Sequence, residues 1–320
     1  MKFWNFFVFF IVLLVGNSEL SAKTLPTPSG LEKDVHFWEQ IFAHYKSNEC
    51  VFHDSWNVNV IYGIKKIRSH TRKKQRRELA RQERSIVRAL KRLGRGYSAK
   101  SSLERKIVRS IPSKYRNKTF YRGAAKRVRC QRGIADNFVA SLKRSKKYLP
   151  MIKRALRKQG LPKDLAYLPH LESGFNRKAH SKVGARGLWQ LMPATARESG
   201  LKVNRWRDDR KNTQKSTNVA VRILKRNYRK TKSWPLAMTG YNYGINGIRR
   251  GIRKVGTTNY VKFRREHKSR SFGFAARNFY PSFLAVRNIA RYYERYSGKK
   301  KLNQFIAYST GSKPSRSLLF

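Results

Sequence analysis

Apolar residues recur at helical spacing along much of the chain. Between Arg72 and Leu93, the residues Leu79, Ile86, Leu90 and Leu93 follow one another at offsets of 7, 4 and 3. This draws one stripe along an amphipathic helix. Its other faces are crowded with Arg and Lys, and Gly94 and Gly96 end it. Such a helix either packs its stripe on the body of the protein or serves as an electrostatic docking arm for an anionic surface. Before it, "VHFWEQIFAHYKSNECVFHDSWNVNVIYGIKKI" spaces aromatics for packing. From about Asn137 the pattern predicts compact helices with short connections. "FVASLKRSKKYLPMIKRALRKQG" reads as a helix pair ending at Gly160, and "LPKDLAYLPHLES" as a helix with Pro162 near its start. "PATARESG" places Pro193 in a helix's first turn. "STNVAVRILKRNYRK" and "WPLAMTGYNYG" are further helices, and "FAARNFYPSFLAVRNIARYY" is a last one, interrupted near Pro281. Strand signals are scarce, so the chain reads as mainly α.

The first residues stand apart. "MKFWNFFVFFIVLLVGNSELSAK" has Lys2, an apolar run from about Phe3 to Val15, and a small-residue site at Leu20-Ser21-Ala22. It reads as a secretory signal peptide over residues 1–22. The run is shorter than the roughly 20 apolar residues of a spanning helix. Export makes a specific nucleic-acid partner a poor reading. The charge alone would have allowed one: 74 basic residues against 17 acidic ones give +57 over 320 residues, and such a surface attracts nucleic acid, anionic lipid and acidic wall polymers alike. Cys50 and Cys130 either form a disulfide, as export permits, or stay as two thiols; their spacing does not choose.

Acids are so few that one is conspicuous. Glu172 follows Leu168 by four residues and Leu165 by seven, so on a helix all three share a face. A carboxyl on an apolar face is desolvated, its pKa rises, and it can keep a proton to give to a leaving group. Otherwise Glu172 simply ends its helix in solvent or pairs with an Arg. Ser173-Gly174 closes the helix at once, and Gly184 and Gly187 permit tight turns nearby. Gln190 offers donor and acceptor; Trp189 and Met192 offer either apolar lining or core. Tyr241 and Asn242 sit in "GYNYG", between Gly240 and Gly244, as a cleft wall would require.

"LESGF", "SKVGARGLWQLMPATA" and "GYNYG" resemble, in order and spacing, the three motifs of the lytic murein transglycosylases, glycoside hydrolase family 23. The segment leading to "LESGF" is most similar to the membrane-bound D branch of that family. The resemblance covers about Asn137 to Tyr293. It implies a lysozyme-like (goose-type, SLT) helical catalytic domain, preceded by a basic helical N-terminal region. It implies that Glu172 is the single acid/base, and that Ser181 and Gln190 hydrogen-bond the glycan. Met192 would line the cleft, with Tyr241 and Asn242 across from the acid. No metal or other cofactor is implied. Two departures bear on the site. "AARNFYP" puts Ala275 and Phe279 where the family often has an acid and a Tyr, leaving Tyr280, one place along, as the candidate late contact. Asp208 and Arg210 resemble a family D-x-R element that helps order the next helix, and Asn212 replaces an acid often seen there.

The resulting organisation is a signal peptide over 1–22, a basic, mostly helical region over 23–136, a catalytic domain over 137–297 and a basic tail over 298–320. Glycosidases generally use two carboxyls roughly 5–9.5 Å apart. Apart from Glu172, the acids of the catalytic region are Asp164, Glu198, Asp208, Asp209, Glu266 and Glu294, and none lies in a cleft motif. Asp164 reads as a first-turn acid. A lone acid suits an intramolecular path on peptidoglycan glycan strands, ending in 1,6-anhydro sugars, in the periplasm or envelope. The alternatives are a hydrolytic muramidase on the same fold and a non-catalytic polyanion- or glycan-binding protein.

Overall fold

A computed structural model describes residues 25–296 and 304–305. The expected signal peptide and nearly all of the tail lie outside the described residues. The described chain is mainly α, as the pattern predicts, with a small sheet in its first half. In order it forms α1 (Glu32–Ala43), β1 (Glu49–Asp54), β2 (Ile61–Lys66), α2 (Arg72–Gly94), α3 (Ser102–Ser110), α4 (Lys118–Ala124) and β3 (Val128–Arg132). Then come α5 (Ala135–Lys158), α6 (Pro169–Glu172), α7 (Pro193–Glu198), α8 (Thr213–Thr231), α9 (Trp234–Tyr243), α10 (Ile245–Val255), α11 (Tyr260–Glu266) and α12 (Phe274–Arg295).

The N-terminal region is mostly helical, as expected, and adds a small sheet that the sequence pattern did not mark. The sheet order is β2-β1-β3, antiparallel throughout, with Val51 opposite Ile64 and Phe52 opposite Cys130. Central β1 is buried on both faces: Val51 joins the main core, while Cys50 and Phe52 join a second one. A strand covered on both faces shows a continuous apolar run rather than alternation, which hid it in the sequence. The second core also takes Tyr62, Ile86, Leu90, Leu93, Ile107 and Tyr121. The predicted stripe of α2 is thus packed inward, with Thr71 capping the helix by accepting from the Lys74 amide. A Cys50–Cys130 disulfide ties β1 to β3.

α1 belongs to the main core. Phe37, Trp38, Ile41 and Phe42 are buried there against α12, and Trp38 Nε1 donates to Asn278 Oδ1 (3.4 Å). Arg264 pairs with Asp34 across the same seam. The start of the described chain is clasped to α12 as well: the Tyr280 hydroxyl donates to the Pro26 carbonyl (2.6 Å) and Arg287 Nη1 to that of Leu25 (3.0 Å).

Three helix expectations need revision. The predicted pair over 138–160 is one helix, α5, with Pro150 inside it on the solvent side. α12 likewise continues through Pro281. The stretch after Pro162 is instead a 3-10 turn over Lys163–Tyr167 followed by the short α6, with Pro169 opening the α-helical part. Asp164 is in the first turn of that 3-10 segment, as expected, and is buried, 3.6 Å from Arg291 and 4.0 Å from Arg287.

Candidate active site

α6 is a four-residue helix that ends on the acid. Directly after Ser173, Gly174 (φ +57°) and Phe175 (φ +56°) both take left-handed backbone, which stops a helix abruptly. Phe175 holds that costly conformation because its ring is fully buried, 4.5 Å from the His170 ring, and its amide donates to the Pro169 carbonyl (3.2 Å). Arg144 Nε donates to the Gly174 carbonyl (2.9 Å). Glu172 is left at a mouth, half-buried, with Oε1 enclosed and given no hydrogen-bond partner. Burial alone pushes its carboxyl up to about 8, so it is protonated at neutral pH. Nearby His170 does not oppose this. It is buried, bonded through Nδ1 to Ser141 Oγ (2.6 Å), and held neutral by desolvation, its pKa brought down to about 3.

The second wall is the loop from Ser181 to Met192. Ser181 folds it: its amide donates to the Ala185 carbonyl and its Oγ accepts from the Ala185 amide, both at 2.9 Å. The hydroxyl proton of Ser181 remains for an outside acceptor. Gln190, at φ +47°, sends Nε2 to the carbonyls of Gly187 (2.9 Å) and Ala179 (3.3 Å). Both amide protons are thereby used, and Oε1 is the group left to accept. Met192 is 41% exposed, as a lining residue must be. Trp189, which sequence leaves between lining and core, is core: it is fully buried with Nε1 donating to Thr217 Oγ1 (2.9 Å).

This loop is braced from behind by residues whose reach the sequence does not show. Buried Arg210 donates to the carbonyls of Gly184 (2.7 Å) and Leu191 (3.0 Å) and is itself held by Asp208 (2.8 Å), which also pairs with Arg186 (3.1 Å). The D-x-R element therefore orders the loop, while Asn212 caps α8 through the Lys215 amide (3.0 Å). Gly187 lies so close that a Cβ there would come within 2.1 Å of the Arg210 carbonyl oxygen. Ser173 Oγ donates to the Leu188 carbonyl (2.8 Å), joining the acid's helix to the same loop. A polar residue directly after the acid was the one hint of that tie in the sequence.

α9 brings Tyr241 against the same loop. Its hydroxyl donates to the Trp189 carbonyl (2.9 Å). Its pKa is raised by burial first and by the charge of Glu172 second. Asn242, next in the chain, is exposed and lines an adjoining cleft. Six of the seven expected residues thus belong to three segments tied to one another by the Ser173–Leu188 and Tyr241–Trp189 hydrogen bonds. Tyr280 does not: it is fully buried, with its ring 5.4 Å from that of Tyr260 and its hydroxyl spent on Pro26. α12 turns that position inward, so Tyr280 is corrected from a glycan contact to a core residue.

Residues 150–263, which carry these three segments, match the family model of the Transglycosylase SLT domain. The match is to this segment of the chain alone. Over 155 residues the chain is 30% identical to membrane-bound lytic murein transglycosylase D of Escherichia coli (strain K12), covering 48% of this chain and 33% of that one. A protein of Alteromonas sp. (strain M-1) named for tributyltin chloride resistance is 33% identical over 113 residues, 35% of this chain and 55% of that one. The match thus spans a third of the first relative and about half of the second. A solved structure of an inactive mutant of lytic transglycosylase Slt from Pseudomonas aeruginosa covers 72% of this chain and 34% of that one, at 17% identity and a TM-score of 0.36; so distant a likeness carries no weight for the site. Within the SLT segment lie Glu172, the 181–192 loop and α9. β1 to β3 and α12 fall outside it.

Proposed function

We propose that this protein is a peptidoglycan lytic transglycosylase that cleaves the β-1,4 bond between N-acetylmuramic acid and N-acetylglucosamine, with Glu172 as its single acid/base. The observation that carries the reading is Glu172 itself: an enclosed, unpartnered carboxyl kept protonated to about pH 8 by burial, with no neighbouring charge contributing. A second carboxylate within the 5–9.5 Å of two-acid glycosidases would raise it further. Five of the six other acids of the catalytic region are engaged in ion pairs, Asp164 with Arg287 and Arg291, Asp208 with Arg210, Asp209 with Arg207, Glu294 with Lys153 and Glu266 with Arg265, and Glu198 is exposed at the end of α7.

The chemistry follows from one acid used twice. Glu172 gives its proton to the glycosidic oxygen, which leaves as the 4-hydroxyl of N-acetylglucosamine. The substrate's N-acetyl oxygen supports the positive C1 left on the muramic sugar. Glu172, now ionised, takes the proton from the muramic 6-hydroxyl, whose oxygen bonds to C1. The products are a 1,6-anhydro end and a protonated Glu172, with no water consumed. Ser181 and Gln190 hold the sugar through one hydroxyl proton and one amide oxygen, and Met192 supplies an apolar face.

The basic surface, +57 in sum, concentrates the protein on the acidic wall, and the leader read in residues 1–22 would deliver it to the envelope. Among the described residues no helix is long and apolar enough to cross a membrane. The test is digestion of purified sacculi. Wild type releases muropeptides one water lighter than reducing-end products, and Glu172→Gln releases none. Reducing ends would favour the muramidase; full activity of the variant would remove Glu172 from its role.

A further inference from the structure

The cleft that Asn242 enters extends beyond the SLT segment. Its walls include Asn242, Tyr243 and Arg250 from the α9–α10 side and Ser271 and Phe274 at the start of α12, and one wall residue comes from the sheet: Arg129 of β3. It encloses about 580 Å³, within the range of small-ligand sites, roughly 300–1,000 Å³.

Arg129 is seated rather than loose. Its guanidinium lies over the Phe274 ring, 4.1 Å from the centroid, and partial burial lowers its pKa. Arg129 remains exposed on its strand, whereas Arg210 meets Asp208, Arg127 meets Asp54, and Arg264 meets Asp34. Among the described residues neither Arg129 nor Arg250 has an ion-pair partner, although both line one cleft. Two unanswered guanidinium groups, one partly dry and fixed by stacking, make a receptor for an anion with oxygen atoms in a plane.

We propose that the Arg129–Arg250 cleft is a carboxylate subsite for the peptide stems carried by the glycan strand. The inference rests on the peptidoglycan reading above. Tyr241 is bonded to the 181–192 loop at the Trp189 carbonyl, and Asn242, one residue on, enters the cleft. A strand lying against α9 therefore presents its substituents toward Arg129, and on peptidoglycan the acidic groups sit on the peptides. The sheet, outside the SLT segment, would then select among strands that the acid alone does not distinguish.

The test compares glycan strands bearing intact stems with the same strands stripped by an amidase, using the full chain. Wild type should prefer the stem-bearing strands by about tenfold in kcat/KM, the scale of one charge-assisted contact. Arg129→Gln and Arg250→Gln should each bring that ratio toward one, mainly through KM, and Arg129→Lys should restore part of it. Binding of a soluble disaccharide-peptide and of the peptide-free disaccharide is measured in parallel, so that the subsite can be judged even if no strand is cleaved. Stem-specific binding lost in Arg129→Gln upholds the subsite whether or not the chain is an enzyme. A wild-type ratio near one, or equal loss on both substrates in the folded variants, overturns it. So would Arg129-dependent binding of a DNA duplex with the disaccharide-peptide unaffected.

Discussion

Glu172 suits the acid role proposed for it because of what it lacks, a charged or hydrogen-bonding partner for Oε1. Since its proton is the reagent, activity should hold below about pH 8 and fall about tenfold per unit above it. The same residue sets a stability signature of definite sign. Its folded pKa, about 8, exceeds the ordinary 4.5, so between those values the native state binds more protons than the unfolded one and stability declines as pH rises. Glu172→Gln, neutral at every pH, should remove that decline and gain on the order of a few kcal/mol over wild type by pH 8; denaturant unfolding at pH 5 and pH 8 measures it. The acid was legible in sequence because acids are scarce and three motifs fell in register. Tyr280 was misread because spacing near a proline does not fix which side of a helix faces the cleft. Arg129 carried no signal, since a contact made through the fold leaves no mark in a chain this rich in arginine.

At the scale of elements, the site depends on one brace. The 181–192 loop contributes Ser181, Gln190 and Met192, but Arg210 and Gly187 hold its shape. Arg210→Met leaves Asp208 buried with only Arg186 for company and cuts two carbonyls loose. Breaking such a pair costs on the order of 3–5 kcal/mol, read as a lowered melting temperature. The KM for strands should rise while the pH limb set by Glu172 stays where it was. Gly187→Ala should act similarly, because its Cβ meets backbone and its φ of +78° disfavours a side chain. Most helices were legible from their stripes. β1 was not, since burial on both faces erases the alternation that marks a strand, and the D-x-R element showed its own spacing but not the carbonyls it reaches some twenty residues away.

Over the whole molecule, two cores share one strand. β1 gives Val51 to the main core and Cys50 and Phe52 to the other, and the disulfide from Cys50 closes an 80-residue loop around α2, α3 and α4. Removing it with Cys50→Ser and Cys130→Ser should cost roughly 2–4 kcal/mol. A melting curve unchanged by the double substitution, and by reductant on wild type, would show that the second core stands without it. Composition made the pair legible but not its bond, because two cysteines so far apart in sequence meet only if the sheet forms.

The clasp between the beginning of the described chain and α12 fixes an order of events. Tyr280 reaches back 254 residues to Pro26, and Trp38 reaches forward 240 to Asn278. A chain made and moved from its N-terminus therefore carries α1 with part of its apolar face covered early, by Phe138 of α5 and His53 of β1, and the part that meets α12 uncovered until that helix arrives. The sheet and its helices can settle early from closer contacts, whereas the main core closes late, after its longest loop has been drawn together. The opening beside Glu172 is built on that core, so a partly emerged chain cannot present the finished site, and the wall-cutting chemistry proposed for it waits until almost the whole sequence has arrived.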